Sequence, residues 1–405
     1  MHKIWWLSAL RGPRPDSCMT KRKIAILLPA MQSGGAERFV SNLINFLSSE
    51  FEVHLILFDR LVEYALPETQ IFHIIDGNSH TDGNFANILK LPLLGGRVCK
   101  YCNQNGIELV ISFLHRPNFV ACIAKKMGLK AKVIISERTY APIYFKKGTL
   151  SGKIGSCMVS KLYPIADYIL PNSKGVQDAL STVYGIKNRY RVIKNIVDIK
   201  NIELQKQKPV GDIAFDKFTF ITVANLNEGK NHEMLLNAFS AMNTDDAQLL
   251  LIGKGKLREK LQLRAVALGV GDRVVFLGYQ ANPFNFIGRS DCFVFPSDFE
   301  GFPNVLIEAL ACGTPVISTD CRSGPRELLA PETDCRQQVT DRFEVADYGI
   351  LVPVGDAKLM AEAMGRIRQD ASLRDALKQR SAMRAADFDG ERMAEEIKNV
   401  ILEVL

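Results

Sequence analysis

The chain predicts an α/β protein of two Rossmann-like domains, each built on a parallel sheet and both facing one cleft. Three observations carry this. Short apolar runs alternate with segments of helical periodicity along the chain, the pattern of repeated βαβ units. The alternation stops at a polar run, Gln205–Asp212, and then starts again, which marks an interdomain linker. Each half also carries a loop between strand and helix suited to a phosphate, where open α/β sheets receive ligands. The 405 residues suffice for two cores. Residues 19–204 are assigned to the first domain, 213–385 to the second and 386–405 to a terminal helix. Residues 1–18 are expected to be a poorly ordered extension, with Met19 as an alternative start.

Composition narrows the class. Hydrophobic residues at 47% and charged residues at 23% describe an ordinary globular protein. No apolar run approaches the roughly 18 residues of a membrane-spanning helix. The net charge of +7 conceals an asymmetry: Met19–Lys200 holds 24 Lys and Arg against 13 acids, and Asn201–Leu405 holds 24 against 30. A basic first half suits contact with anionic lipid or a phosphate-bearing acceptor, and equally a plain solvated surface. No aromatic-interleaved basic run points to nucleic acid. Nine scattered cysteines show no disulfide framework, as expected of a reducing cytoplasm. Cys99 and Cys102 form one CxxC without a second pair, so two thiols one turn apart on a helix is the better account than a metal site.

In the first half, Lys23–Ala30 reads as a buried strand, and the glycine loop at Gly34-Gly35 feeds a helix with Glu37 and Arg38 in its first turn. The loop is not GxGxxG, but its backbone amides suit a phosphate. Phe51–Phe58, His73–Asp76, Glu108–Leu114 and Lys132–Tyr140 continue the strands. His115 follows the third of these and faces the ligand end of the sheet, where it contacts a sugar or else caps the next helix. Glu137 and Arg138 stand at the next strand end, as candidates for holding an acceptor or its diphosphate.

The second half restarts with Phe218–Leu226, then Ala247–Gly255, Arg273–Tyr279 and Asp291–Ser297. Its informative stretch is VFPSDFEGFPNVLIEALACGTPVISTD, Val294 to Asp320. A strand stops at Pro296, a loop carries Glu300 and Gly301, and a helix begins near Pro303 and ends at Gly313. Glu308 lies eight residues beyond Glu300, about 12 Å along a helix. Two carboxylates so spaced can hold two hydroxyl-bearing parts of one long ligand, with the helix start between them for a diphosphate. They can also be two solvated glutamates.

EGFPNVLIEALACGTPVISTD resembles the donor-site signature of the family 4 retaining glycosyltransferases, and SGPRELL (Ser323–Leu329) and GILVPVGD (Gly349–Asp356) match its downstream pattern. The resemblance covers roughly Lys23 to Leu377 and implies the GT-B fold, in which a terminal helix crosses back onto the first domain. It implies a nucleotide-diphosphate sugar as donor substrate and no separate cofactor. Glu300 would orient the donor sugar, Glu308 would bind ribose, and Lys230 would neutralise the diphosphate together with the helix start at Gly301, Phe302, Pro303, Asn304 and Val305. Gly34 and Gly35 would face the cleft, His115 would line its sugar side, and Tyr279 with Gln280 would frame the base. Two departures stand out. Asn225 occupies the place of an expected Arg, so another cation is needed, Arg326 being a candidate, or activity is reduced. Lys194 and Ile196 replace the family's Pro and Gly in RVIKNIVDI.

The reading is a retaining transferase that needs no metal and moves a hexose or N-acetylhexosamine, UDP-linked by preference, to a lipid-linked or polysaccharide acceptor of a bacterial surface. It would work in the cytoplasm, peripheral to the inner face of the plasma membrane. A nucleotide-sugar-binding relative without turnover and a UDP-sugar 2-epimerase on the same fold are the alternatives.

Overall fold

The structure is a computed structural model that describes residues 21–405 apart from 33–34, 64–65, 67–70, 78–83, 146–147 and 196. The proposed extension 1–18, the Met19 start, Gly34 and Ile196 therefore lie outside the described residues. The first sheet holds β1 (Arg22–Leu28), β2 (Phe51–Leu57), β3 (Ile71–Ile74), β4 (Leu109–Phe113), β5 (Lys132–Glu137) and β6 (Tyr168–Pro171). Their order is β3-β2-β1-β4-β5-β6, parallel throughout. Apolar runs without alternation, such as the fully buried LVISF of β4, are what a sheet covered on both faces requires.

The second sheet holds β7 (Phe218–Val223), β8 (Ala247–Ile252), β9 (Val274–Gly278), β10 (Cys292–Phe295), β11 (Val316–Thr319), β12 (Glu344–Ala346) and β13 (Gly349–Val352). Its order is β12-β13-β11-β10-β7-β8-β9, with the short edge strand β12 antiparallel to β13. Strand order reverses between β1 and β4 in one sheet and between β7 and β10 in the other. Both reversals open a crevice at the carboxyl ends of the strands, and these crevices face each other.

The chain crosses between domains earlier than its polar run suggests. Helix Ile199–Lys206 already packs on the second domain, with Ile202 buried in the same cluster as Leu306, Ile307 and Leu310. The crossing thus falls just before Asp198, which caps that helix by accepting from the Asn201 amide. The run read as a linker is the end of this helix and the turn after it. At the other end, helix Gly390–Val404 returns to the first domain. Met393, Ala394, Ile397, Val400 and Ile401 are buried with Phe39, Leu43 and Leu55. Apolar positions three and four apart on that helix form one stripe, which is why it docks rather than projecting.

Truncating this stripe should unfold the first domain while the second persists. Ile397→Ala is expected to cost about 2–5 kcal/mol, as for other buried branched side chains cut to alanine. A thermal melt followed by circular dichroism would show the lower transition moving down.

Candidate active site

The facing crevices enclose a cavity of about 560 Å³. It is lined by Ala36, Glu37 and Leu114 from the β1–β4 side, and by Asn225, Lys230, Phe299, Glu300, Gly301, Pro303 and Asn304 from the β7–β10 side. A second cavity of about 390 Å³ holds Arg38, Lys254, Tyr279, Gln280 and Glu308. It shares Val223, Ala224, Asn225, Asn304 and Val305 with the first, so the two form one long cleft.

Two loops set the chemistry of the larger cavity. After β7 the chain makes a short 3-10 turn, Glu228–Lys230, and Asn231 follows at φ +45°. The Asn231 side chain accepts from the Met234 amide, starting helix His232–Ala241, and donates 2.7 Å to Asp298 Oδ1. The Asp298 amide in turn donates 3.0 Å to the Gly229 carbonyl. This cross-bracing holds the loop of Lys230 against the loop of Glu300, and the Lys230 Nζ donates directly to Glu300 Oε1. Glu300 is further tied by its amide to the Arg322 carbonyl and by its carbonyl to the Ser323 amide, both at 3.3 Å.

Helix Asn304–Cys312 begins between the two carboxylates. Pro303 at its N-cap offers no side chain to its first amides. Pro303, Asn304 and Val305 border the cavity, so this N-terminus opens onto it with its orphan donors and positive dipole end. One turn on, Glu308 is nearly buried and accepts 2.7 Å from Arg38 Nη1 of the first domain. Burial pushes the Glu308 carboxyl above its ordinary range, and Arg38 opposes that.

The seam between domains is close. A Cβ on Gly301 would lie 2.0 Å from the Arg138 carbonyl oxygen. Asn195 Nδ2 donates 2.8 Å to the Phe302 carbonyl and also to Asn304 Oδ1. Glu327 accepts from the Lys174 and Gly175 amides at 2.7 and 3.0 Å. Its carboxylate so caps the first turn of helix Lys174–Thr182 from the opposite domain.

Comparison with known proteins decides the family. The model for Glycosyltransferase Family 4 matches residues 33–201, and that for Glycosyl transferases group 1 matches 204–384. A Campylobacter jejuni protein is 35% identical over 383 residues, covering 94% of this chain and all of its own length. It is an N-acetylgalactosamine-N,N'-diacetylbacillosaminyl-diphospho-undecaprenol 4-alpha-N-acetylgalactosaminyltransferase. The chain is a family 4 glycosyltransferase. Its GT-B fold is shared by sucrose-phosphate synthase from Thermosynechococcus elongatus, with a TM-score of 0.79 at 18% identity over 95% of this chain and 99% of that one. Anabaena HepE, solved with UDP, follows at 0.73 and 18% over 94% of this chain and 100% of that one.

Within this glycosyltransferase, the structure brings Glu300, Lys230, Asn225, Gly301, Phe302, Pro303, Asn304 and Val305 around one cavity and Tyr279 and Glu308 around its extension. Gly35 begins helix Gly35–Leu47. Four residues differ from expectation. His115 does not border the larger cavity of the cleft. Its Nδ1 lies 2.9 Å from Glu137 Oε2 and its Nε2 lies 2.6 Å from Thr139 Oγ1, and it faces a separate cavity of about 510 Å³. Glu137 is fully buried and holds no ligand-facing oxygen: it accepts 2.5 Å from the Tyr163 hydroxyl, 2.9 Å from that of Thr139, and from the Arg138 and Thr139 amides. Burial alone would raise this carboxyl, but His115 and Tyr163 hold it below its ordinary range. Arg138 borders the cavity, yet its guanidinium stacks 3.7 Å over Phe39 and donates 2.7 Å to Asn195 Oδ1. A strand end is where such groups emerge, but here the following residues fold back over them. Arg326 is buried against Asp320 and Glu344, at 2.6 and 2.9 Å, and is not in the cleft.

Sequence reasoning missed Asn195 and Phe299 and gave Arg38 no role. Asn195 sits in the RVIKNIVDI stretch, where the resemblance was weakest, and Phe299 next to Glu300 read as loop.

Adding one methyl group at Gly301 tests the seam. Gly301→Ala should force the domains apart, seen as a larger radius of gyration by small-angle scattering. The melting temperatures of the separate cores should change little.

Proposed function

We propose that this glycosyltransferase is a retaining, metal-independent enzyme using a nucleotide-diphosphate sugar, UDP-linked by preference. The transferred group is a hexose or N-acetylhexosamine, and the acceptor is a lipid-linked or polysaccharide glycan of a bacterial surface. The observation that carries the reading is Lys230 paired with Glu300 beside an uncapped helix start, inside one cleft with Glu308. Lys230 and the helix amides would take the charge that grows on the diphosphate as its bond to the sugar breaks. The acceptor hydroxyl forms the new bond to that carbon and gives up its proton, and the departing phosphate oxygen is the base at hand. Glu300, released from Lys230 by the donor phosphates, would orient the sugar hydroxyls.

Relatives support the acceptor class. The Campylobacter protein named above carries diphospho-undecaprenol in its name. A lipopolysaccharide 1,6-galactosyltransferase of Salmonella typhimurium is 32% identical over 174 residues, 41% of this chain and 46% of that protein. Among the described residues, no helix is long and apolar enough to cross a membrane. A membrane-held acceptor would then be met at the inner face, with the basic first domain against anionic lipid.

Incubation with UDP- and GDP-sugars in EDTA tests this. Wild type should hydrolyse one donor slowly, transfer faster when a lipid-linked acceptor is added, and retain the anomeric configuration in the product. Glu300→Ala should lower the rate by about 10²-fold or more, the scale of losing a group that acts in the transition state. Donor binding without turnover on any acceptor would favour the non-catalytic alternative that Asn225 raises. Dependence on added metal would contradict the electrostatics.

A further inference from the structure

Glu300 and Glu308 are each engaged by a cation, and one of those cations comes from the opposite domain. Arg38 stands in the first turn of helix Gly35–Leu47 and reaches across the seam to Glu308 at 2.7 Å. Its side chain is 44% exposed, against 10% for Glu308. It lines the smaller cavity, as do Asn225 and Asn304, which also line the larger one.

The cations around the cleft can be compared one by one. Among the described residues the two cavities are lined by Lys230, Arg138, Arg38 and Lys254. Lys230 already serves the sugar end against Glu300. Arg138 stacks on Phe39 and donates to Asn195, and its Nε and Nη2 are buried rather than open to the cleft. Lys254 sits 5.4 Å from the centre of the Tyr279 ring, at the outer end. Arg38 is the exposed guanidinium among them, and it lines the smaller cavity together with Asn225. Asn225, in the place of the cation that the family resemblance leads one to expect, borders both cavities and carries no charge.

We propose that Arg38 supplies, from the first domain, the cation on the donor diphosphate that Asn225 does not, leaving Glu308 for phosphate oxygens when the nucleotide enters. This rests on the donor reading of the cleft given above. The exchange is balanced. Glu308 passes from a guanidinium to ribose hydroxyls, and Arg38 passes from a carboxylate to a phosphate it can grip with two N–H groups. The resting ion pair keeps Glu308 from being a buried charge without a partner and holds Arg38 within reach. Because the two residues sit on different domains, the bound diphosphate would itself bridge the seam.

Calorimetric titration of UDP and of uridine tests this, with GDP and guanosine in parallel. It is run at pH 8, which favours the ionised form of Glu308 against the upward push of its burial. Arg38→Gln should weaken UDP binding by about tenfold, as for a lost charge-assisted hydrogen bond, and change uridine binding by less than about twofold. Asn225→Arg added to Arg38→Gln should restore most of the lost affinity for UDP. Unchanged UDP affinity in Arg38→Gln would overturn the proposal. Equal losses for UDP and uridine would also overturn it, since they would place Arg38 on the nucleoside or on the fold. Wild type that binds none of the four compounds would sink the donor reading itself.

Discussion

The cleft exists because the two domains touch backbone to backbone at Gly301, where a hydrogen atom fits and a methyl group does not. Everything chemical depends on that approach. It brings Glu37 and Leu114 of one domain opposite Lys230 and Glu300 of the other, near the points where strand order reverses. Around it, Asn195 and Glu327 satisfy backbone groups across the seam that would otherwise be buried without partners. The side-chain bonds across it are polar, as in interfaces that let domains move relative to one another.

Electrostatics then organises the interior of the cleft. Glu300 and Glu308 are partly or almost wholly removed from water, and each is held by a cation from a different place: Lys230 from a neighbouring loop, Arg38 from the other domain. Removing charges from water is costly unless they are paired, so a ligand that enters must replace these partners with better ones. A molecule offering phosphate to the cations and hydroxyls to the carboxylates does so at both ends. In the proposed function, catalysis and binding are thereby drawn from the same four side chains.

Much of the fold was legible because its signals are local. Apolar runs of four to seven residues became buried parallel strands, and the Gly313 stop and the Pro303 start bounded their helix to within a residue. The signals that failed were weak or tertiary. Helix Ile199–Lys206 buries little beyond Ile202, so its polar face read as a linker. The edge strand Glu344–Ala346 is three residues long with no buried face. In the site, spacing left Glu300 and Glu308 as either ligand carboxylates or solvated glutamates, and the family resemblance decided between them. The inward turn of Glu137 and His115 was not legible, since it depends on Tyr163 and Thr139 arriving from other segments. Arg38 was visible beside the glycines, but its partner lies 270 residues away.

A crystal structure with the intact donor sugar bound is the most direct measurement of the central claim. The account predicts the diphosphate at the start of helix Asn304–Cys312 with Lys230 on it, Glu300 on the sugar hydroxyls and Glu308 on the ribose. A donor bound elsewhere, or one bound here with the Lys230–Glu300 and Arg38–Glu308 pairs both intact, would contradict it.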